Sequence, residues 1–514
     1  MAVSFSIFFP LILVSFFVSL VHAVPIDPST ILNQLKKNGA CCTALNYFLP
    51  GKVFLPTDIK YQSSQLSYWS AQEQSLHPTC IVIPETTQDV STAVTIMSVG
   101  YQASISGCKF AMRGGGHTPF AGAANIDGGV TIDMQSMNSV TVSSDRKSVS
   151  MGGGNRWGNV YSVLEPLDLA TVGGRVSYVG MPGLTIGGGV SFFSGRYGLV
   201  CNNIQSYEVV LGNGTIVTAS GTANAPLWRA LKGGSNNFGI VTRFDAKAFS
   251  QSDYWGGSIS QPITNKEAFF DFFVNFAASE NFDSYAALIS DFAWVAGVPS
   301  LIHNVAYTNG DVAWPPPAYA PLDAMPKLAT TIRKGMTSDF ADEIATIALP
   351  TEDHNNLLMT LTFVNKGDVS ASFMSQAFDL ANAAAVELTT VVGLIYTMTF
   401  QPLPQVLYSK NAKDVLGLDG EDYINLLFTL SWTLPTDNDR VYARMQELEA
   451  DLIALEKQMD LYNDFVYLNY AAQWQKPISS YGAENMQFLK SVSRQYDPKQ
   501  IFQNAVPGGF KLND

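Results

Sequence analysis

The sequence has few basic residues and few histidines for its length. Its 514 residues include 30 Lys and Arg against 43 Asp and Glu, so the formal net charge at pH 7 is -13, and Lys or Arg form no run. Nucleic acids and anionic membrane surfaces bind clustered positive charge, so we expect neither as a partner. None of the five histidines has a second His, Cys or carboxylate at the spacing of metal ligands. We therefore predict that the protein has no metal site.

Motifs of several common enzyme classes are also missing. The chain contains no G-x-S-x-G elbow, no P-loop and no H-E-x-x-H motif. Its glycine-rich stretches do not spell G-x-G-x-x-G either, which disfavours a nicotinamide cofactor in a Rossmann fold.

A long apolar run occurs only in the first 23 residues. Residues 7–20 are largely apolar and are followed by Val21-His22-Ala23, a small-residue cleavage pattern. Pro10 and the short length argue against a permanent membrane anchor. We predict that residues 1–23 are a signal peptide and that the protein is secreted.

Cysteine is scarce, and all five cysteines follow this segment. In an oxidising compartment we expect one or two disulfides and one unpaired thiol. The sequence does not fix the pairing, and we favour Cys80 with either Cys41 or Cys42. An Asn-Gly turn between two apolar runs makes Asn213, followed by Gly214 and Thr215, a feasible glycosylation site at the tip of a hairpin.

Glycine, in contrast, is concentrated in two stretches. Residues 109–125 read KFAMRGGGHTPFAGAAN, and residues 179–198 read VGMPGLTIGGGVSFFSGRYG. Glycines let successive backbone N–H groups approach an anionic ligand closely, and an Arg and a Thr beside them suit a pyrophosphate. Because His117 ends the first glycine run, we interpret the pair of stretches as two loops that hold a flavin bonded to His117. A tight structural turn with an exposed histidine is the alternative.

The order of the predicted elements indicates an α+β fold. A strand at residues 80–83, a helix that begins at Thr86 with Asp89 as its capping partner, and a strand at residues 110–112 precede the first glycine loop. Short alternating strands follow, and then longer helical patterns and aromatic strands. The predicted regions are a signal peptide (1–23), an N-terminal leader with few clear periodic elements (24–75), a cofactor domain (76–250), a substrate domain (251–464) and a C-terminal segment (465–514).

Several motifs, in order along the chain, resemble one flavoprotein family. They are YWSAQ at 68–72, RGGGHT at 113–118 with GAAN at 122–125, GGNRWGNVY at 153–161, VGMPGLTIGGG at 179–189, GGSNNFGIVT at 233–242 and YLNY at 467–470. This series resembles the berberine bridge enzyme-like branch of the vanillyl-alcohol oxidase, or PCMH-type, FAD-binding superfamily. The secreted fungal members are the most similar in character.

The resemblance implies a PCMH-type FAD-binding domain of two α+β subdomains and a substrate domain with an antiparallel sheet and covering helices. The C-terminal segment would complete the FAD domain. FAD would be bonded covalently through His117, and because Val176 stands where some members carry a second, cysteinyl tether, we expect a single tether. The residues that match cofactor-lining segments are Arg113, Gly114, Gly115, Gly116, His117, Thr118, Val179, Gly183, Gly187, Gly188, Ile240, Val241, Tyr467 and Asn469.

The YLNY motif contains the implied proton acceptor. The resemblance assigns this role to Tyr470 and places Gln401 on the substrate side. A phenol, with an ordinary pKa of about 10, needs neighbours that tune it before it can accept a proton. Because side chains alternate along a strand, we predict a strand with Tyr467 and Asn469 on one face and Tyr470 on the other. The alternatives are that Tyr470 only packs or positions substrate and that Gln401 is a satisfied sheet amide.

The implied activity is that of an FAD-linked oxidoreductase. Val179 matches a position where valine goes with oxygen access, which favours an oxidase. A small organic substrate, preferably a secondary metabolite, would lose a hydride, and molecular oxygen would become hydrogen peroxide. The alternatives are a carbohydrate oxidase, a dehydrogenase, a flavin-binding cyclase and a non-catalytic secreted glycoprotein. We expect a monomer.

Overall fold

The computed structural model describes residues 27–38, 40–295, 297–347 and 354–513. The predicted signal peptide lies outside the described residues and stays a prediction. Within these ranges, no helix combines the length and the apolar character needed to cross a membrane.

The first sheet has four strands and leads into the loop that contains His117. Its strand order is β1-β2-β4-β3, with β4 parallel to both β2 and β3. The predicted capping box forms at the start of α5, where the Thr86 hydroxyl accepts from the Asp89 N–H at 3.1 Å and the Asp89 carboxylate accepts from the Thr86 N–H at 3.0 Å. The elements here are α1 (Pro28–Asn38), α2 (Cys41–Phe48), β1 (Val53–Phe54), α3 (Ile59–Leu66), α4 (Ala71–Gln74), β2 (Cys80–Val82), α5 (Thr87–Gln102), β3 (Phe110–Arg113) and β4 (Val130–Asp133).

The N-terminal leader, in which the sequence shows few clear periodic elements, contains the helices α1 to α4. Helices this short show little periodicity in a sequence and depend on tertiary contacts. Two disulfides join α2 to its neighbours, Cys42–Cys80 to β2 and Cys41–Cys108 to the loop before β3. One of the two pairings considered for Cys80 is thus confirmed, and Cys201 is the free, buried thiol.

The second sheet is antiparallel and has the order β5-β6-β10-β8-β9, with β7 paired to β10. The predicted Asn-Gly hairpin joins β8 to β9, and Gly214 has the positive φ of 81° that such a turn requires. Asn213 is exposed at the tip. The elements are β5 (Val140–Val142), β6 (Ser148–Gly152), α6 (Trp157–Leu164), β7 (Leu169–Thr171), α7 (Met181–Ile186), α8 (Ser194–Tyr197), β8 (Ile204–Val210), β9 (Ile216–Ser220), α9 (Ala225–Ala230) and β10 (Ile240–Ser250).

The third sheet is a large antiparallel sheet of order β14-β11-β13-β12-β17-β18-β16, with β15 beside β11. Helices α10 and α13 cover one face, where Phe292 contacts Phe270 and Phe378 with ring centroids 5.5 and 5.0 Å apart. The elements from here to the C-terminus are β11 (Tyr254–Gln261), α10 (Lys266–Phe276), β12 (Ala286–Val295), β13 (Val298–Tyr307), α11 (Ala320–Ala324), β14 (Ala329–Thr330), β15 (Arg333–Gly335), α12 (Thr337–Ile347), β16 (Asn355–Val364), α13 (Asp368–Glu387), β17 (Ile395–Leu403), α14 (Gln405–Tyr408), β18 (Tyr423–Trp432), α15 (Asn438–Gln458), α16 (Ala483–Tyr496) and α17 (Ile501–Asn504).

The C-terminal region packs back on the first sheet. Phe502 of α17 contacts Phe110 of β3 with ring centroids 6.2 Å apart, and the Phe110 N–H donates to the Ala505 carbonyl at 2.9 Å. The architecture is therefore α+β, of the predicted kind, with two smaller sheets and a large antiparallel sheet under covering helices. The exact domain boundaries stay predictions.

One buried carboxyl group makes the stability of the fold depend on pH. Glu456 on α15 is 1% exposed, and its Oε1 has no hydrogen-bond partner among the described residues. Burial raises the pKa of Glu456 from 4.5 to about 9. Since the folded state binds the proton more tightly, the contribution of this group is fully present below pH 4.5 and is lost as the pH rises towards 9.

We predict that Glu456→Met stabilises the protein at pH 8 and not at pH 5. Each pH unit in this window lowers the unfolding free energy of the wild type by about 1.4 kcal/mol. From pH 5 to pH 8, the difference in unfolding free energy between variant and wild type should therefore grow by up to about 4 kcal/mol. Denaturant unfolding followed by tryptophan fluorescence at both pH values measures it. The exposed Glu447→Met is the control. If the difference in unfolding free energy between Glu456→Met and wild type is the same at both pH values, the assignment of this pH dependence to Glu456 is contradicted.

Candidate functional site

A cavity of about 560 Å³ lies between the glycine loops and the uncovered face of the large sheet. Most of the residues predicted for the site line it. Gly187 and Gly188 are not part of its wall, and Asn213 lies on the separate β8–β9 hairpin. The predicted residues in the wall are Arg113, Gly114, Gly115, Gly116, His117, Thr118, Val179, Gly183, Ile240, Val241, Gln401, Tyr467, Asn469 and Tyr470.

The two glycine loops touch each other, and this contact depends on glycine. A Cβ added to Gly115 would lie 2.3 Å from the Cα of Gly180. A Cβ on Gly187 would lie 1.9 Å from Oδ1 of Asn469, so Gly187 packs directly against a residue that lines the cavity. At Gly183, in contrast, a Cβ would meet no protein atom within 4 Å, although this residue lines the cavity. The space beside Gly183 is thus left open for a ligand.

His117 stands in the cavity wall between two aromatic rings. Its ring centroid is 4.1 Å from that of Trp69 and 5.3 Å from that of Tyr178. Burial, and secondarily the positive charge of Arg156, lower the pKa of His117 to about 3, so the imidazole is neutral. Its Nδ1 is buried and has no hydrogen-bond partner among the described residues. A neutral imidazole with such an unpartnered nitrogen is suited to a bond with a bound molecule.

The arginine at the start of the first loop bonds to the protein itself. The Arg113 guanidinium stacks 3.8 Å above the Tyr68 ring and donates to the hydroxyl of Ser67 at 2.8 Å. It also forms a buried ion pair with Asp133 at 3.5 Å. An anion at the glycine loops would therefore meet backbone N–H groups, with Arg113 acting mainly to hold the loop in place.

The YLNY motif does not form the predicted strand. Residues Leu468–Tyr470 form a 3₁₀ turn, in which the Tyr470 N–H donates to the Tyr467 carbonyl at 2.9 Å. Three residues per turn place positions i and i+3 on the same side, so the rings of Tyr467 and Tyr470 meet edge to face at 4.8 Å. The predicted separation of the two tyrosines onto opposite faces is therefore wrong.

The two tyrosines differ in their hydrogen bonds. The Tyr467 oxygen accepts from the Gly189 N–H at 3.0 Å and from Asn469 at 2.9 Å, and burial raises the pKa of Tyr467 well above its ordinary value. The Tyr470 hydroxyl accepts from the Arg175 guanidinium at 2.9 Å and donates to the Gln401 carbonyl oxygen at 3.3 Å. The Tyr470 hydroxyl is therefore held between two side chains of the cavity wall, Arg175 and Gln401.

The large sheet contributes a wall in which aliphatic side chains alternate with polar ones. Alternate residues of neighbouring strands point into the cavity, as expected for a sheet with one covered face. The polar members are Asp291, Ser300, Asn304, Thr397, Thr399, Gln401 and Thr429. The apolar members are Ile289, Ala293, Ile302, Leu358, Ile395 and Leu427.

Sequence reasoning missed several residues of this cavity. Arg175 directly precedes Val176, and Trp69 and Tyr178 lie in stretches considered for other reasons, yet none of them received a role. Asp291 lies in an aromatic strand with no motif around it. For Arg175, a charged residue beside a glycine-rich loop was a usable signal. For Asp291 the sequence alone offered none.

Comparisons with known proteins agree with this geometry. A family described as FAD binding domain matches residues 78–220. The FAD-dependent monooxygenase CTB5 of Cercospora beticola is 34% identical over 495 residues, which covers 92% of this chain and 92% of that protein. The FAD-dependent monooxygenase drtC of Aspergillus calidoustus is 33% identical over 513 residues, covering 96% and 94% of the two chains.

Solved structures show the same fold at low identity. The glucooligosaccharide oxidase of Acremonium strictum superposes with a TM-score of 0.72 at 17% identity, over 91% of this chain and 98% of that one. The FAD of that enzyme is described as 6-S-cysteinyl, 8α-N1-histidyl. Together with the full-length fungal relatives, these likenesses show that the chain belongs to the berberine bridge enzyme-like, PCMH-type family of FAD-linked oxidoreductases.

Proposed function

We propose that this protein is a secreted oxidase that bears a single covalent FAD at His117 and acts on a small, largely apolar secondary metabolite. The substrate would lose two electrons and two protons, and molecular oxygen would take them up as hydrogen peroxide. The observation that carries the proposal is the unpartnered Nδ1 of His117 in the wall of a cavity framed by two glycine loops.

The residues of the cavity fit an FAD. Gly183 faces open space, the glycine loops offer backbone N–H groups, and Nδ1 of His117 has no hydrogen-bond partner among the described residues. Val176 lines the cavity without a thiol, and the free Cys201 is buried outside the wall. These positions support one tether where the Acremonium oxidase has two.

FAD, when bound, supplies the two-electron chemistry, and the protein supplies position and proton transfer. We assign to Tyr470 the acceptance of the substrate proton. Arg175 keeps the Tyr470 oxygen in place and would stabilise the negative charge on it, while Gln401 fixes the orientation of both.

The composition of the sheet wall supports an apolar substrate over an oligosaccharide. A sugar chain would need polar partners for several hydroxyl groups, because buried polar groups without partners are costly. This wall offers six Ile, Leu or Ala side chains, and the hydroxyls of Ser300, Thr397 and Thr399 already donate to acceptors within the protein.

Secretion, glycosylation of Asn213 and a monomeric state are further parts of the proposal. Two disulfides and the exposed position of Asn213 support the first two. Intact mass before and after glycosidase treatment of the protein recovered from the culture medium tests secretion and glycosylation together.

A monooxygenase is the second candidate, since the fungal relatives carry that name. We predict that turnover under ¹⁸O₂ gives hydrogen peroxide in equal amount to the oxidised substrate and no ¹⁸O in the organic product. Mass spectrometry of the product and a peroxide assay measure both. Incorporation of one labelled oxygen per product would favour the monooxygenase, and turnover without oxygen uptake would favour a dehydrogenase.

A further inference from the structure

Asp291 is a carboxyl group in the cavity that the proposed chemistry does not use. It lies on β12 between Ile289 and Ala293, which also line the cavity, and so it points away from the helices that cover the sheet. The Thr399 hydroxyl donates to its Oδ1 at 2.6 Å, and the Asn304 amide donates to its Oδ2 at 3.0 Å. Two neighbouring strands, β17 and β13, therefore fix the carboxyl group in one orientation.

The carboxyl group retains capacity for a further hydrogen bond. A carboxylate offers about four acceptor sites, and these two donors use two of them. The Asn304 amide is itself oriented by the Ser258 hydroxyl, which donates to its Oδ1 at 2.9 Å. Burial raises the pKa of Asp291 to about 6, so the group is mainly an ionised acceptor above that pH.

We propose that Asp291 is a specificity residue that accepts a hydrogen bond from a neutral hydroxyl group of an apolar alcohol or phenol. This inference rests on the proposed function and specifies its substrate class. The wall residues that flank this acceptor are aliphatic, namely Ile289 and Ala293 on β12 and Ile302, which is paired with Asp291, on β13, so one hydroxyl on an apolar skeleton matches this part of the wall.

A hydroxyl group fits this position better than an ammonium group. Arg175 is the cation that acts electrostatically on Asp291, and its guanidinium is bonded to Gln401 and Tyr470. An ammonium group beside Asp291 would also meet the positive charge of Arg175, which offsets part of its attraction to the carboxylate, whereas a neutral hydroxyl meets no such repulsion.

The position of Asp291 also limits the length of the substrate. Thr399, which holds Asp291, and Gln401, which contacts Tyr470, are two residues apart on β17, which corresponds to roughly 7 Å along a strand. The recognised hydroxyl would thus be separated by about the width of one aromatic ring from the substrate group that contacts Tyr470.

The experiment is calorimetric binding of three probes to the purified holoenzyme without oxygen. The probes are 2-naphthol, its methyl ether and 2-(aminomethyl)naphthalene, which share a skeleton and differ in the polar group. We expect the wild type to bind 2-naphthol at least tenfold more tightly than the ether. D291N and D291S should reduce this ratio below threefold, and D379N on the exposed surface of α13 should retain it.

The proposal is overturned if D291N and D291S, with wild-type melting curves, keep the tenfold ratio. It is also overturned if the amine binds more tightly than 2-naphthol or if neither neutral probe binds at millimolar concentration. Binding needs no turnover, so a protein that makes no peroxide can still show the Asp291-dependent preference. An active oxidase without that preference would contradict this inference alone.

Discussion

Replacing Tyr470 by phenylalanine is expected to lower the rate of substrate oxidation by about two to four orders of magnitude, the usual contribution of a positioned acid–base group. The ring and its edge-to-face contact with Tyr467 remain, and only the hydroxyl that joins Arg175 and Gln401 is lost. Stopped-flow measurement of flavin bleaching by a turned-over substrate, without oxygen, isolates this step. The flavin content of the variant should equal that of the wild type.

Tyr467→Phe is the matched control, because it removes a hydroxyl from the neighbouring ring. The Tyr467 oxygen serves as an acceptor for Gly189 and Asn469, so we expect a loss of stability of about 1–3 kcal/mol and a change in rate below about tenfold. Equal rate losses in the two variants would show that Tyr470 acts by packing and not as the proton acceptor.

Replacing His117 by alanine is expected to abolish covalent flavin attachment completely. No other described residue presents a neutral imidazole or a free thiol in the cavity wall. FAD should bind reversibly and dissociate on acid precipitation, and its reduction potential should fall because the electron-withdrawing bond to the ring is gone. Absorbance of the pellet and supernatant measures the first effect, and redox titration with a reference dye measures the second.

Trp69→Phe is the control for this experiment. It keeps an aromatic ring beside His117, at a site where the present centroid distance is 4.1 Å, and leaves the imidazole in place. Flavin should stay in the pellet of this variant. Release of flavin from Trp69→Phe as well would mean that the acid test reports on cavity integrity and not on a bond to His117.

Local rules predicted the parts of the fold that are set by local interactions. The capping box at Thr86 and the Asn-Gly hairpin at Asn213 depend on residues a few positions apart, and both form as predicted. The YLNY strand was wrong because the hydrogen bond between Tyr470 and Tyr467 closes a 3₁₀ turn, and alternation in a four-residue motif cannot distinguish the two.

The cavity wall could be predicted only where a motif marks it. The glycine loops and His117 lie in recognisable stretches, and the structure brings them to one cavity. Arg175 reaches Tyr470 across 295 residues of sequence, and Asp291 meets Thr399 across 108. The first contact joins a loop to a 3₁₀ turn and the second joins the paired strands β12 and β17, and a single sequence reveals neither.

The central claim is that one FAD is bonded to this chain and that His117 is its only attachment point. The most direct test is proteolytic digestion of the acid-washed wild-type protein, followed by mass spectrometry of every flavin-bearing peptide. We predict one such peptide, with the added mass on His117 and none on residues 175–179. A second flavin-bearing site, or a wild-type protein whose flavin washes entirely into the acid supernatant, would contradict the account.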